Sequence, residues 1–181
     1  MKDVVTLIFG DSIAYGLYDE ELGWVNRTRK ALSNNHFIFN LSIPGQNSFD
    51  VLNKFEIELE NRYNEIDDFK LIFSFGIKDA LNNTDFKDNV LKIINISKKY
   101  TSDINFIGLI KPDIIKRKEY NLERVIDIDN ILEETCNIEK VKYIKIIDLI
   151  NDNELVDGLH PNNNGHKKIN DIVLKEIYDK V

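Results

Sequence analysis

Residues 4–16 read VVTLIFGDSIAYG, and this stretch decides the fold. Residues 4–9 run apolar or β-branched without the polar alternation of a half-buried strand, and Gly10-Asp11-Ser12 then stops the run. A strand covered on both faces reads this way, because neither of its faces meets water. Four similar runs follow at 37–41 (FIFNL), 71–75 (LIFSF), 104–110 (INFIGLI) and 143–147 (YIKII). The lysine inside the last run marks it as an edge strand.

Between the runs, apolar residues recur at helical spacing. Over 50–63 they are Val51, Leu52, Phe55, Leu59 and Tyr63, with Ser48 as a candidate N-cap. Over 88–100 the stripe is Val90, Leu91, Ile94 and Ser97. Over 122–136 it is Leu122, Val125, Ile126, Asp129 and Leu132, where the aspartate is an imperfection. Over 165–178 it is Ile169, Ile172, Val173 and Ile177. Trp24, near the start of the first helix, reads as a packing residue. Strand–helix alternation along the whole chain predicts an α/β three-layer domain with right-handed crossovers, spanning residues 1–181 as one unit.

Composition narrows the function. The chain has 181 residues with 24 Lys plus Arg against 31 Asp plus Glu, a formal net charge of −7. An acidic balance disfavours a nucleic-acid partner, which needs a positive face to displace counterions. The first strand is followed by neither G-x-G-x-x-G nor G-x-x-x-x-G-K-[ST], so nucleotide-binding readings fail. The single cysteine, Cys136, forms no intrachain disulfide and reads as a small buried hydrophobe. The N-terminal apolar run is shorter than a signal-peptide core or a membrane helix, which points to a cytoplasmic protein without stable membrane insertion.

In such sheets a ligand sits beyond the carboxyl ends of the strands. The first strand is followed there by Gly10-Asp11-Ser12, the second by Ser42-Ile43-Pro44-Gly45-Gln46-Asn47, and the third by Gly76-Ile77-Lys78-Asp79. Asp157-Gly158-Leu159-His160-Pro161 precedes the last helix. A serine hydroxyl is a poor nucleophile until a base takes its proton. His160 can be that base, and Asp157, three residues earlier, can turn back to fix the imidazole tautomer. Asp11 and Asp79 read as loop-holding carboxylates that accept backbone N–H groups. His166 reads as a packing residue, and the charged run 111–119 (KPDIIKRKE) as a solvated loop or a lip facing substrate.

These four blocks, in this order after these strands, resemble the SGNH or GDSL-type serine esterase superfamily. The resemblance implies a flavodoxin-like α/β/α sandwich with a five-stranded parallel sheet in order 2-1-3-4-5. It implies Ser12 as nucleophile, His160 as base, Asp157 as its orienter, and an oxyanion hole from the backbone N–H groups of Ser12 and Gly45. It also implies an asparagine as third donor, and here the chain departs from the pattern with Lys78. The ammonium either curls into the site, or points to solvent, or yields its place to a nearby amide such as Asn47, Asn82 or Asn83.

The expected activity is hydrolysis of a small-molecule ester (an acetylated sugar, a short-chain ester or a lysophospholipid), which needs no metal or organic cofactor. Two other readings stay open. One is a binding protein impaired by Lys78. The other is a metal-dependent phosphohydrolase that gathers Asp11, Asp79, Asp157 and His160 around a divalent ion.

Overall fold

The computed structural model describes residues 3–63, 68–82 and 85–180. Strands β1 (Val4–Gly10), β2 (His36–Asn40), β3 (Asp68–Ser74), β4 (Asp103–Ile107) and β5 (Lys142–Ile144) form one parallel sheet in the order β2-β1-β3-β4-β5. The order is the one implied by the resemblance, and β5 is an edge. The run at 143–147 leaves the sheet after Ile144, so Lys145 lies just outside the strand and pairs with Glu133.

Helices α1 (Ser12–Tyr15), α2 (Gly23–Ala31), α3 (Ser48–Glu60), α4 (Phe86–Ser97), α5 (Leu122–Glu139) and α6 (Asn163–Tyr178) cover the sheet. The two-residue period of a strand explains the missing polar alternation. Val5, Leu7 and Phe9 of β1 point into one core with Phe73, Phe106 and the apolar stripes of α3, α4 and α5. Ile8 points the other way, with Ile72, Ile107, Trp24 of α2 and Ile169 and Val173 of α6. The first core is aromatic, with Phe73 stacked on Phe9 at 5.7 Å and on Phe106 at 4.8 Å between ring centroids. Truncating a ring this deeply packed, as in Phe73→Ala, costs about 3–5 kcal/mol. Trp24 and Cys136 are fully buried, as the sequence implied.

Two local details differ from the sequence reading, and both serve the sheet's carboxyl edge. Asn47, not Ser48, caps α3: its side chain accepts the Asp50 N–H at 2.9 Å, and the Asp50 carboxylate accepts the Asn47 N–H at 3.0 Å. The buried Asp129 of α5 accepts the Leu109 N–H at 2.7 Å. That bond takes the chain out of the ladder, so β4 ends at Ile107 although its apolar run continues to Ile110. Among the described residues no helix is long and apolar enough to cross a membrane.

Candidate active site

The nucleophile candidate sits where β1 turns into α1. A methyl group at Gly10 would lie 2.4 Å from the Ser74 carbonyl oxygen and 2.6 Å from the Ala14 side chain. Only glycine therefore lets α1 fold back so tightly against the strand ends. Asp11 caps α1 by accepting the Ile13 N–H at 2.9 Å. Its burial raises the carboxyl to about 7, outweighing the N–H groups of Ile13 and Ala14, and the charge of Asp79 adds to the rise. Asp11 therefore holds the serine turn, with its carboxylate engaged by the Ile13 N–H. Ser12 follows it, 7% exposed.

Residues 157–160 form the acid–base loop. Leu155 and Pro161 pair as an antiparallel bridge, and the Val156 N–H donates to the His160 carbonyl at 2.8 Å, which pinches the loop at its base. His160 Nε2 lies 2.8 Å from Ser12 Oγ, and Nδ1 lies 2.9 Å from Asp157 Oδ2. Asp157 Oδ1 accepts the N–H groups of Leu159 at 3.0 Å and His160 at 2.9 Å. Burial works against the charged carboxylate, but the hydrogen bonds from the His160 N–H, the imidazole and the Leu159 N–H outweigh it and hold Asp157 below its usual range. With Nδ1–H donated to a carboxylate, Nε2 is left as the acceptor facing the serine. Ser12, His160 and Asp157 are thus within hydrogen-bond reach in the order that proton transfer requires.

Opposite this relay lies a cleft of about 220 Å³, lined by Ser12, Gly45, Gln46, Lys78, Arg117 and His160 among others. Gly45 holds φ +81°, a backbone conformation that side-chain-bearing residues rarely adopt. The N–H groups of Ser12 and Gly45 donate to none of the described residues. They are therefore open to a ligand oxygen. The turn that carries Lys78 is tied to the Gly45 loop through Asp79, whose carboxylate accepts the Ser48 N–H at 3.0 Å and the Ser48 hydroxyl at 2.6 Å. Asn89 of α4 donates to the same hydroxyl at 2.9 Å. Asp79 is thus a loop-holding carboxylate, and Ser48 and Asn89 are supports that no motif signalled.

Lys78 is half-buried at the cleft wall, and its ammonium makes no hydrogen bond or ion pair with any described residue. Of the amides considered for its place, Asn47 is spent on capping α3. Asn82 is exposed and donates to the Lys78 carbonyl at 3.5 Å, while Asn83 lies outside the described residues. The amide that does line the cleft is Gln46, with a buried Oε1 that has no partner among the described residues.

Three more residues escaped the sequence reading. Arg117 comes from the charged run 111–119 and donates through Nη1 to Asp157 Oδ2 at 2.9 Å. Tyr120 joins it in the cleft wall. Tyr18, held at φ +65°, sets its ring edge-on to His160 at 5.2 Å between centroids. His166 is fully buried, as a packing residue should be, and burial pushes it down to about 4.

Among the described residues no three His, Cys, Asp or Glu side chains gather as a metal site. Asp11, Asp79 and Asp157 are each drawn to a separate hydrogen-bonding task. A larger cavity of about 580 Å³ opens at the other end of the sheet, where His36, Lys70, Asp103 and Tyr178 line it. It holds none of the relay residues, so its size does not make it the reaction site.

The model of the GDSL-like lipase/acylhydrolase family matches residues 8–168 of the chain. No curated relative matches the sequence. Among solved structures, a member of the lipolytic G-D-S-L family from Veillonella parvula superposes with a TM-score of 0.81 at 16% identity, covering 98% of this chain and 100% of that one. A lipase/acylhydrolase from Enterococcus faecalis gives 0.75 at 21% identity, with 99% and 96% covered. An acetylxylan esterase from Geobacillus stearothermophilus gives 0.77 at 14% identity, with 96% and 93% covered. At such identities the likeness establishes the shared fold.

Proposed function

This chain belongs to the GDSL-like lipase/acylhydrolase family and is an ester hydrolase, and from that premise we propose that it works through an acyl-enzyme on Ser12. The observation that carries the reading is the relay from Ser12 Oγ to His160 Nε2 at 2.8 Å and from His160 Nδ1 to Asp157 at 2.9 Å. Ser12 Oγ attacks the acyl carbonyl carbon while its proton passes to His160 Nε2. Asp157 stabilises the imidazolium and stays ionised itself. The carbonyl oxygen becomes an oxyanion facing the N–H groups of Ser12 and Gly45. Collapse breaks the bond to the alcohol, which leaves with the proton from Nε2. Water then attacks the acyl-enzyme with His160 again as base, and the acid departs as Ser12 recovers its proton.

The modest volume of the cleft favours a small acyl group, because sites that enclose larger ligands run to about 300–1,000 Å³. An acetylated sugar or a short-chain ester fits this better than a long-chain lipid. Rates on aryl acetate, butyrate and octanoate esters, with Ser12→Ala as control, test the assignment. The expected result is serine-dependent cleavage that falls with chain length. Equal rates for wild type and Ser12→Ala would overturn the acyl-enzyme, and preference for the octanoate would overturn the small-acyl assignment.

A further inference from the structure

Arg117 reaches the acid–base loop from a segment that carries no motif. The Asp113 N–H donates to the Gly158 carbonyl at 2.8 Å, which docks the chain after β4 onto that loop. Gly158 holds φ +85°, and a methyl there would lie 2.9 Å from Lys116 Cβ and 3.1 Å from Arg117 Cγ. The docked segment aims the guanidinium at Asp157 Oδ2, the same oxygen that lies 2.9 Å from His160 Nδ1. Glu119 accepts from Arg117 Nε at 2.7 Å, and the guanidinium lies 5.9 Å from the Tyr120 ring centroid. One planar cation is therefore fixed between two carboxylates and an aromatic ring, with its edge in the cleft wall.

We propose that Arg117 is a positioning residue for ester hydrolysis: its guanidinium pins the Asp157 carboxylate to the imidazole and moderates how strongly that carboxylate holds the protonated ring. The inference rests on the acyl-enzyme reading above. Both carboxylate oxygens are then fully engaged, Oδ1 by two backbone N–H groups and Oδ2 by Arg117, with the imidazole Nδ1 2.9 Å from Oδ2 and 3.0 Å from Oδ1. A carboxylate held on four sides cannot rotate away as His160 gains and loses its proton. Its charge is also shared with a second cation, so the imidazolium is stabilised less than by a free aspartate. That keeps His160 ready to return the proton to the leaving alkoxide.

The charged and titratable groups facing this pair come from every neighbouring element. They are Asp113, Lys116, Glu119 and Tyr120 on the docked segment, Tyr18 after α1, and Asp11 and Lys78 in the cleft lining. His166 lies behind, close enough for His160 to act on its charge. None of these donates to the Asp157 carboxylate, whereas Arg117 does.

The test compares wild type with Arg117→Gln, Arg117→Lys and Glu119→Gln. The His160 ring is titrated by NMR, and kcat and KM are measured on an aryl acetate. Arg117→Gln should raise the His160 titration point by about half a pH unit, since a nearby positive charge is lost. It should lower kcat about tenfold with KM nearly unchanged, as expected of a lost orientation. Arg117→Lys should keep the titration near wild type. Glu119→Gln, at an exposed carboxylate that leaves the fold intact, should move it downward because Arg117 then answers to Asp157 alone.

A titration point that stays fixed in both Arg117→Gln and Glu119→Gln overturns the inference. So does a lowered kcat in Arg117→Gln that Arg117→Lys does not partly restore. Wild-type protein that cleaves no ester would strike the acyl-enzyme reading itself. An active wild type with an unmoved ring would strike only the role of Arg117.

Discussion

The two halves of the candidate site are built to different standards. On the acid–base side, residues 157–160 leave nothing loose: both Asp157 oxygens are engaged, with the imidazole shared between them, and His160 is held at both nitrogens. On the side proposed for the oxyanion, the N–H groups of two cleft-lining residues, Ser12 and Gly45, have no partner among the described residues, beside a lysine whose ammonium no described residue holds. Stabilisation of a developing charge depends on donors already in place, because reorganising them during the reaction costs what their attraction would supply. The first half is preorganised and the second is preorganised only in its backbone. The difference teaches that the proposed proton relay is fixed by the fold, while the place proposed for a third oxyanion donor holds a side chain with no fixed partner among the described residues.

The largest effect should come from breaking the relay at its nucleophile. Ser12→Ala is expected to lower kcat about 10⁴-fold or more on a short aryl ester, leaving only binding and the oxyanion donors to act. Steady-state kinetics with thermal unfolding as a folding control checks it. Residual activity above a tenth of wild type would mean that some other group attacks. Next in size is Asp157→Asn, which keeps the shape but offers an amide where the imidazole needs a carboxylate. The expected loss is about 10³–10⁴-fold, again read in kcat.

The open half should answer more gently, and in the opposite direction for one variant. Lys78→Ala is expected to cost less than tenfold, because a long, hydrated and unheld ammonium contributes little that is preorganised. Lys78→Asn places a short neutral donor on the same turn and should raise kcat about tenfold, below the 10²–10³ that one well-placed donor can supply. A large fall on Lys78→Asn, with the same variant still folded, would show that lysine is the donor this site prefers and would remove the contrast between the halves.

The smallest effect on activity concerns the wall behind His160. His166 is buried and neutral, held down to about 4 by burial against an ordinary value of 6.5. Its folded pKa is depressed, so between pH 6.5 and 4 the unfolded chain binds the extra proton and this residue subtracts stability as pH falls. His166→Phe removes that loss. Its stability relative to wild type should therefore improve on acidification across this window, by roughly 3 kcal/mol at most. Asp11, raised to about 7, has the opposite slope, and the lowered carboxylates such as Asp19 and Asp157 add slopes of their own, so the difference between the two proteins is the quantity to measure. Denaturant unfolding at several pH values gives it. A difference independent of pH would contradict the buried neutral imidazole.

Much of this was legible in the sequence, and the reasons are physical. The run at 4–9 lacks polar alternation because both faces of β1 are covered, so its pattern reports the three-layer architecture directly. Asp157 and His160 were legible as a pair because three residues of a tight turn suffice to bring a carboxylate to Nδ1. Ser48 was misread as a cap because local spacing cannot show that Asp79, distant in sequence, takes its hydroxyl. Asp129 looked like a flaw in a helix stripe because its partner, the Leu109 N–H, belongs to a strand exit on another element. Arg117 stayed hidden in a charged run for the same reason: what picks it out is the docking of Asp113 on Gly158, which leaves no periodic signal.

The central claim is that Ser12 is the nucleophile activated by His160, and intact-protein mass spectrometry after treatment with a serine-directed fluorophosphonate tests it most directly. The account predicts one phosphonyl adduct on wild type, mapped to Ser12, and none on Ser12→Ala. Folded wild-type protein that stays unmodified, or an adduct that persists on Ser12→Ala, would contradict it.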